Sequence, residues 1–124
     1  METTRKILIV DDEPYAVAAL ERLLKEAGYC IHSAKNGADA LKICPRFKPD
    51  LVLLDLMMPG LKGEEVCQAI KSASSDTKVV YFSAKQNLRS GFENIGYQPD
   101  GFIAKPATSK VILTTINSVL NGKK

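Results

Sequence analysis

The sequence of 124 residues has no tryptophan and only four tyrosines and four phenylalanines. It also lacks an arginine-rich run, so it has no set of interleaved basic and aromatic residues of the kind that binds nucleic acid, and we expect no direct nucleic-acid binding. Its apolar runs fall short of the about 18 residues of a membrane-spanning helix. The amino terminus has no apolar targeting segment, so we expect a cytoplasmic protein that does not associate with membranes.

Cysteine is scarce, and the three cysteines are too scattered for a zinc site or a disulfide framework (Cys30, Cys44 and Cys67). We expect them to be reduced thiols. The 45% of hydrophobic and 25% of charged residues are ordinary for a globular protein. The length suits one domain, and we predict a single domain over residues 1–124 with no output domain in this chain.

Short apolar runs alternate with segments that have helical periodicity. Pro14 and Gly28 bracket the first helical segment, and Pro45 is expected to end the second. Strands that alternate with helices predict an α/β fold with a parallel sheet. The predicted strands are residues 6–10, 30–34, 50–55, 78–82 and 101–104, and the predicted helices are residues 14–27, 37–44, 63–73, 86–95 and 109–120.

Polar side chains follow four of these five strands. They are Asp11 and Asp12 after the first strand, Asp55 after the third, Ser83 after the fourth and Lys105 after the fifth. The carboxyl ends of parallel strands form the ligand-binding edge of an open sheet, so these groups are expected to converge. Clustered carboxylates require neutralisation, and Mg²⁺ suits an oxygen-rich site. With a lysine beside the metal, such a site suits acceptance of a phosphoryl group on an aspartate.

Four segments of the chain resemble the response regulator receiver domain of two-component signalling. They are ILIVDDEP at residues 7–14, PDLVLLDLMMPGLKG at 49–63, VVYFSA at 79–84 and DGFIAKP at 100–106. Their order and spacing match the family over nearly the whole chain. The resemblance implies a flavodoxin-like, doubly wound sheet with strand order 2-1-3-4-5 and five helices on its two faces.

The resemblance also implies a phosphorylation site that contains a metal ion. Asp55 corresponds to the phosphoacceptor, Asp12 to a direct Mg²⁺ ligand and Asp11 to a residue that holds a metal-bound water. Met57 would contribute only its backbone carbonyl to the metal, and Mn²⁺ could substitute for Mg²⁺.

Three further positions correspond to residues that respond to the phosphoryl group in the family. Ser83 corresponds to the hydroxyl that binds a phosphoryl oxygen, and Lys105 to the lysine that pairs with the phosphoryl group. Phe102 corresponds to an aromatic side chain that packs inward when Ser83 moves toward the phosphate. The resemblance also implies a cis peptide bond between Lys105 and Pro106.

The function implied is a signalling switch, which receives a phosphoryl group from a histidine kinase or a phosphotransfer protein. Phosphorylation would change the surface formed by the predicted helix over residues 86–95, the fifth strand and the last helix, and so control binding of a protein effector. The domain would be a monomer or a phosphorylation-dependent dimer. It would not be an enzyme beyond its own phosphorylation and dephosphorylation.

The charge balance suggests an acidic effector. With the three site carboxylates set aside, the formal net charge rises from +3 to +6. Such an excess steers an acidic partner toward the protein.

The main alternative is a receiver that works as a phosphate-independent scaffold. An aspartate-nucleophile phosphatase is disfavoured because Met57 stands where a second, proton-donating aspartate would be needed. A flavodoxin-like cofactor binder would need a loop rich in Ser, Thr or Gly after the first strand, and this chain has Asp-Asp-Glu-Pro there.

Overall fold

The architecture is known from a computed structural model, which describes residues 4–56, 60, 62–84 and 99–122. Five strands and four helices lie in these ranges. The helix predicted over residues 86–95 falls outside them, so the described part of the chain has four helices where the sequence predicted five. The elements are β1 (Lys6–Val10), α1 (Pro14–Glu26), β2 (Cys30–Ala34), α2 (Gly37–Phe47), β3 (Leu51–Leu54), α3 (Gly63–Ala73), β4 (Lys78–Ala84), β5 (Gly101–Lys105) and α4 (Ser109–Leu120).

The five strands form one sheet in the order β2-β1-β3-β4-β5, and every neighbouring pair is parallel. This confirms the predicted strand order. Right-handed connections between parallel strands place helices on both faces of such a sheet. Among the four described helices, none combines the length and the apolar character that crossing a bilayer requires.

The core consists of two hydrophobic clusters, one on each face of the sheet. Alternate residues of the central strands enter opposite clusters, as the two-residue repeat of a strand dictates. Ile9 and Leu53 pack with residues of α1 and α4, whereas Val10 and Leu54 pack with residues of α2 and α3. The central strands are therefore buried on both faces, which explains their almost continuous apolar sequence.

Helix α1 begins and ends close to the predicted residues. Pro14 is its first residue, where the missing N–H costs no helical hydrogen bond, and the side chain of Glu13 accepts a hydrogen bond from the Tyr15 N–H. The chain leaves the helix through Gly28, whose φ of +100° favours glycine.

The predicted end of α2 at Pro45 is wrong, because the helix continues to Phe47. Proline removes the N–H that would bond to the carbonyl four residues earlier, here that of Leu41. The loss affects only the last turn. Lys48 then ends the helix in the left-handed conformation, with φ of 54°, and its N–H donates to the Cys44 carbonyl at 2.8 Å. Phe47 packs against the core, which holds this last turn in place.

Strand β4 extends two residues beyond its predicted end. Pairing with β5 continues through Ser83 and Ala84, which lie opposite Ala104 and Lys105. The prediction placed the end of β4 where its apolar run ends. The strand itself ends where its backbone pairing with β5 ends. Conversely, β3 is shorter than predicted, and Asp55 lies just beyond it with its N–H bonded to the Val10 carbonyl at 3.0 Å.

Asp100 anchors the beginning of β5 to the rest of the sheet. Its backbone N–H donates to the Val79 carbonyl at 2.7 Å, and its side chain accepts a hydrogen bond from the Val79 N–H at 2.8 Å. The same carboxylate forms an ion pair with Lys71 of α3, which is itself mostly buried. Asp100 therefore joins β4, β5 and α3 at the amino ends of the strands, whereas Asp55 lies at the carboxyl ends.

Candidate functional site

The predicted site residues meet at the carboxyl ends of four neighbouring strands. Asp11 and Asp55 directly follow β1 and β3, which are adjacent in the sheet. Ser83 is the second-last residue of β4, and Lys105 is the last residue of β5. The topology thus brings together side chains that are as many as 94 positions apart in the chain.

Lys105 binds two buried carboxylates. Its ammonium nitrogen lies 3.0 Å from Asp11 Oδ2 and 3.4 Å from Asp55 Oδ2. Asp11 and Asp55 are only 2% and 8% exposed, so each needs a partner for its charge. The ammonium also lies 5.0 Å from the centroid of the Phe82 ring, which adds a cation–π contact.

The two carboxylates keep Lys105 protonated. Burial alone lowers the pKa of this lysine, but the hydrogen bond to Asp11 and the charges of Asp55 and Asp11 outweigh burial, and the net effect is a raised pKa. The ammonium is therefore a fixed positive charge at neutral pH. It stands beside the Asp55 oxygen that faces β5.

Ser83 occupies the other side of Asp55. The serine is 1% exposed, and its hydroxyl donates to Asp55 Oδ1 at 3.2 Å. One oxygen of Asp55 therefore contacts a hydroxyl and the other contacts an ammonium. This arrangement holds the carboxylate in one orientation.

Asp11, Asp12 and Asp55 form the acidic cluster predicted from the sequence. Each offers a carboxylate oxygen, and these oxygens lie within 4.8 Å of one another. With Lys105 included, the group carries a net charge of −2, which a divalent cation would neutralise. All its ligand atoms are oxygens, as Mg²⁺ prefers, and Asp12 is exposed and reachable from solvent. The residues present therefore fit a Mg²⁺ ion.

Two sequence predictions have different outcomes here. Met57, the expected source of a backbone carbonyl for the metal, lies outside the described residues. The peptide bond between Lys105 and Pro106 is cis, as the resemblance implied.

Phe102 lies in β5, which β4 separates from β3, the strand that Asp55 follows. Its side chain is 47% exposed, and its ring meets that of Tyr81 edge to face at a centroid distance of 6.1 Å. Tyr81 itself is fully buried, and burial raises the pKa of its phenol. Phe102 is therefore in an outward position, in contact with the core at one edge.

Sequence reasoning missed two residues that support the site. The Glu13 N–H donates to Asp11 Oδ1 at 3.0 Å and so orients that carboxylate. The Phe82 ring lies beside the Lys105 ammonium. Glu13 and Phe82 are neighbours in sequence of predicted site residues, but only the folded geometry gives them a function.

The fold agrees with the comparison to known families. The family described as the response regulator receiver domain matches residues 7–117. The chain belongs to this family. Among solved structures, it is similar to the response regulator protein TrrA from Thermotoga maritima in complex with Mg²⁺-BeF. The TM-score is 0.85 with 33% sequence identity, and the match covers 94% of this chain and 99% of TrrA.

Curated relatives of this receiver domain are longer proteins. A protein from Porphyridium aerugineum named "Probable transcriptional regulator ycf27" is 38% identical over 93% of this chain and 48% of its own length. The response regulator MprA of Mycobacterium leprae is 31% identical over 96% of this chain and 52% of its own length. The chain spans about half the length of these curated relatives.

Proposed function

We propose that this receiver domain is a phosphorylation-activated signalling switch that accepts a phosphoryl group on Asp55. The observation that carries the proposal is the environment of the Asp55 carboxylate. It is held between the Ser83 hydroxyl and the Lys105 ammonium, at 3.2 and 3.4 Å, beside two further carboxylates. A purely structural buried aspartate would need its charge neutralised, but it would not need two more acids beside it.

The proposed step is transfer of a phosphoryl group from a phosphohistidine of a kinase or phosphotransfer protein. An Asp55 oxygen attacks phosphorus, the new bond joins that oxygen to phosphorus, and the bond from phosphorus to the histidine nitrogen breaks. The electron pair of the broken bond stays on the imidazole, which takes a proton from solvent. The product is an aspartyl phosphate, a covalent intermediate of known chemistry for carboxylates.

Each neighbour of Asp55 has a role in this step. The Lys105 ammonium pairs with the phosphoryl oxygens as their charge shifts, and the Ser83 hydroxyl donates to one of them. Asp11, Asp12 and Asp55 would hold Mg²⁺, which would supply further positive charge for the phosphoryl oxygens. Mn²⁺ would serve in its place.

The switch would follow from the movement of Ser83. The new phosphoryl oxygens draw the hydroxyl away from its present contact, and the outward Phe102 ring packs into the space released. The surface around β5 and α4 then changes, and a protein effector distinguishes the two states. In this proposal the domain acts in the cytoplasm and turns over no substrate other than its own phosphoryl group.

The first test is the intact mass of the chain after incubation with acetyl phosphate and Mg²⁺. We expect the mass to increase by one phosphoryl group, and we expect no increase when Mg²⁺ is removed with a chelator. The Asp55→Asn variant should gain nothing. Asp76→Asn, which removes an exposed carboxylate outside the site, should behave like the wild type.

Failure of the wild type to gain mass, with its circular dichroism unchanged, would contradict acceptance from small phosphodonors. Equal gain in Asp55→Asn would contradict the choice of Asp55. The same assay with a phosphohistidine donor protein then separates a receiver that requires its kinase from a phosphate-independent scaffold.

A second prediction concerns docking of the phosphodonor. Tyr15, in the first turn of α1 and three residues after Asp12, is 86% exposed. Exposed aromatic side chains beside a site often serve as anchors in protein interfaces. We expect Tyr15→Ala to slow transfer from a phosphohistidine donor protein about tenfold, a loss of about 1.4 kcal/mol. Phosphorylation by acetyl phosphate should stay within about twofold of wild type, because Tyr15 touches no site residue in the proposed step.

The matched control for Tyr15 is Val111→Ala. Val111 is also an exposed apolar side chain, but it lies on α4. Quench-flow measurement of both variants with both donors gives four rates. Equal slowing of both donors by Tyr15→Ala would place its effect on the chemistry and not on docking.

A further inference from the structure

A second surface feature lies beside β2, at one edge of the sheet. It is an open depression of about 580 Å³ between β2 and the second half of α2, which we name the α2–β2 depression. Nothing in the proposed switch uses it. Its lining residues are His32, Lys42, Ile43, Arg46 and Phe47.

The rim of the α2–β2 depression carries uncompensated positive charge. Lys42 and Arg46 are both exposed and stand four residues apart on α2, where like charges oppose helix formation. Within the described ranges of the chain, neither forms an ion pair with a carboxylate. The two nearest acids in sequence are engaged elsewhere, since Asp39 accepts a hydrogen bond from Asn36 and Asp50 accepts one from a backbone N–H.

The floor of the depression is apolar and packs against the core. Ile43 and Phe47 pack against the core, and the Phe47 and His32 rings meet at 77° with centroids 5.4 Å apart. The Lys6 ammonium lies 5.7 Å from the Phe47 ring centroid and donates to the Phe47 carbonyl at 3.3 Å. The depression therefore combines an apolar floor with a cationic surround, and none of the described residues that line it is acidic.

We infer that the α2–β2 depression binds an acidic segment of a partner protein in which an apolar side chain lies between carboxylates. The apolar side chain would contact Ile43 and Phe47, and the flanking carboxylates would pair with Lys42 and Arg46. Charge complementarity of this kind sets the specificity and the association rate of protein interfaces. Burial of the apolar side chain would supply affinity that charge alone does not.

Two other occupants fit less well. Single-stranded nucleic acid stacks its bases on open aromatic faces, whereas Phe47 already has Lys6 near its ring and His32 in an edge contact. An added β-strand would need the free backbone groups of β2, yet the Ser33 N–H donates to His32 Nδ1 at 2.9 Å.

This inference goes beyond the proposed switch because the two surfaces are separate. Phe47 and Lys6 lie near the amino ends of the strands, whereas Asp55 lies at the carboxyl ends. Binding in the α2–β2 depression should therefore occur without phosphorylation. The Asp55→Asn variant should bind as the wild type does.

The test is a titration of the ¹⁵N-labelled chain with a blocked acidic peptide of sequence EEFEE, followed by NMR. We expect saturable shifts of the amides of residue 32, residues 42–44 and residues 46–47. The double variant Lys42→Glu/Arg46→Glu should bind at least tenfold more weakly. The matched control Lys25→Glu/Lys110→Glu, which changes the net charge equally at exposed positions of α1 and α4, should lose less than threefold.

Several results would overturn the inference. If both double variants lose the same affinity for the peptide and keep native circular dichroism, the binding depends only on net charge. Shifts spread over the whole surface would lead to the same conclusion. Equal binding of the peptide EESEE would remove the role of the apolar floor. Tighter binding of an oligothymidylate of equal charge at the same residues would assign the depression to nucleic acid instead.

Discussion

Replacing Lys105 with alanine is expected to lower the free energy of unfolding by about 3 kcal/mol at neutral pH without Mg²⁺. The substitution removes the only described cation within 4.0 Å of the nearly buried Asp11 and Asp55 carboxylates. Loss of one partner from a buried ion pair costs about 3–5 kcal/mol, and we take the lower end because Lys105 is 29% exposed. Urea denaturation of the two proteins measures the difference.

Mg²⁺ should stabilise Lys105→Ala more than it stabilises the wild type. The variant keeps all three carboxylates but loses the ammonium, so the charge that a divalent cation neutralises is larger. The matched control is Lys110→Ala, which removes an exposed lysine of α4 that forms no ion pair with another described residue. A Lys105→Ala variant as stable as that control would show that the carboxylates do not depend on Lys105.

Replacing Asp100 with alanine is expected to lower the free energy of unfolding by about 2–3 kcal/mol. The change removes the acceptor for the Val79 N–H and leaves the mostly buried Lys71 ammonium without its partner. Hydrogen bonds that involve a charged group contribute about 1.5–3 kcal/mol each. Asp100 lies at the amino ends of the strands, far from Asp55 at the carboxyl ends. The folded fraction of the variant should therefore still be phosphorylated by acetyl phosphate.

A graded series separates the two contacts of Asp100. Asp100→Asn retains an acceptor for the Val79 N–H but loses the negative charge. Its free energy of unfolding should therefore lie between those of the wild type and Asp100→Ala. The exposed Asp76, which follows α3, provides the control substitution Asp76→Ala. If all three variants unfold at the same urea concentration as the wild type, the anchor at the beginning of β5 contributes nothing to stability.

The sequence was sufficient to predict the centre of the sheet because the central strands are buried on both faces. Runs such as Lys6–Val10 and Leu51–Leu54 are almost wholly apolar, and helical segments separate them. Among the described elements, the errors are at the boundaries of helices and strands. The helix that contains Pro45 continues because a C-terminal turn tolerates one missing donor, and β4 continues because β5 supplies a partner for its backbone. Both depend on contacts that no local pattern encodes.

The candidate site was predictable only as a set. Asp11, Asp55, Ser83 and Lys105 could be chosen because each stands near the end of a strand, and the structure brings all four together. The supporting contact of Glu13 depends on the path of the backbone after β1. The α2–β2 depression was not predicted, because its cations come from one helix and its ring pair joins that helix to a strand.

The strand order β2-β1-β3-β4-β5 also determines the order in which the parts of the sheet can assemble during translation. The first three strands to be synthesised are neighbours, so a nascent chain that reaches Leu54 already contains three contiguous strands of the five, with a helix for each face. Each later strand adds to the same advancing edge. The three aspartates are therefore made early, while Ser83 and Lys105 arrive with the last two strands, and the site is complete only when the far edge of the sheet has formed.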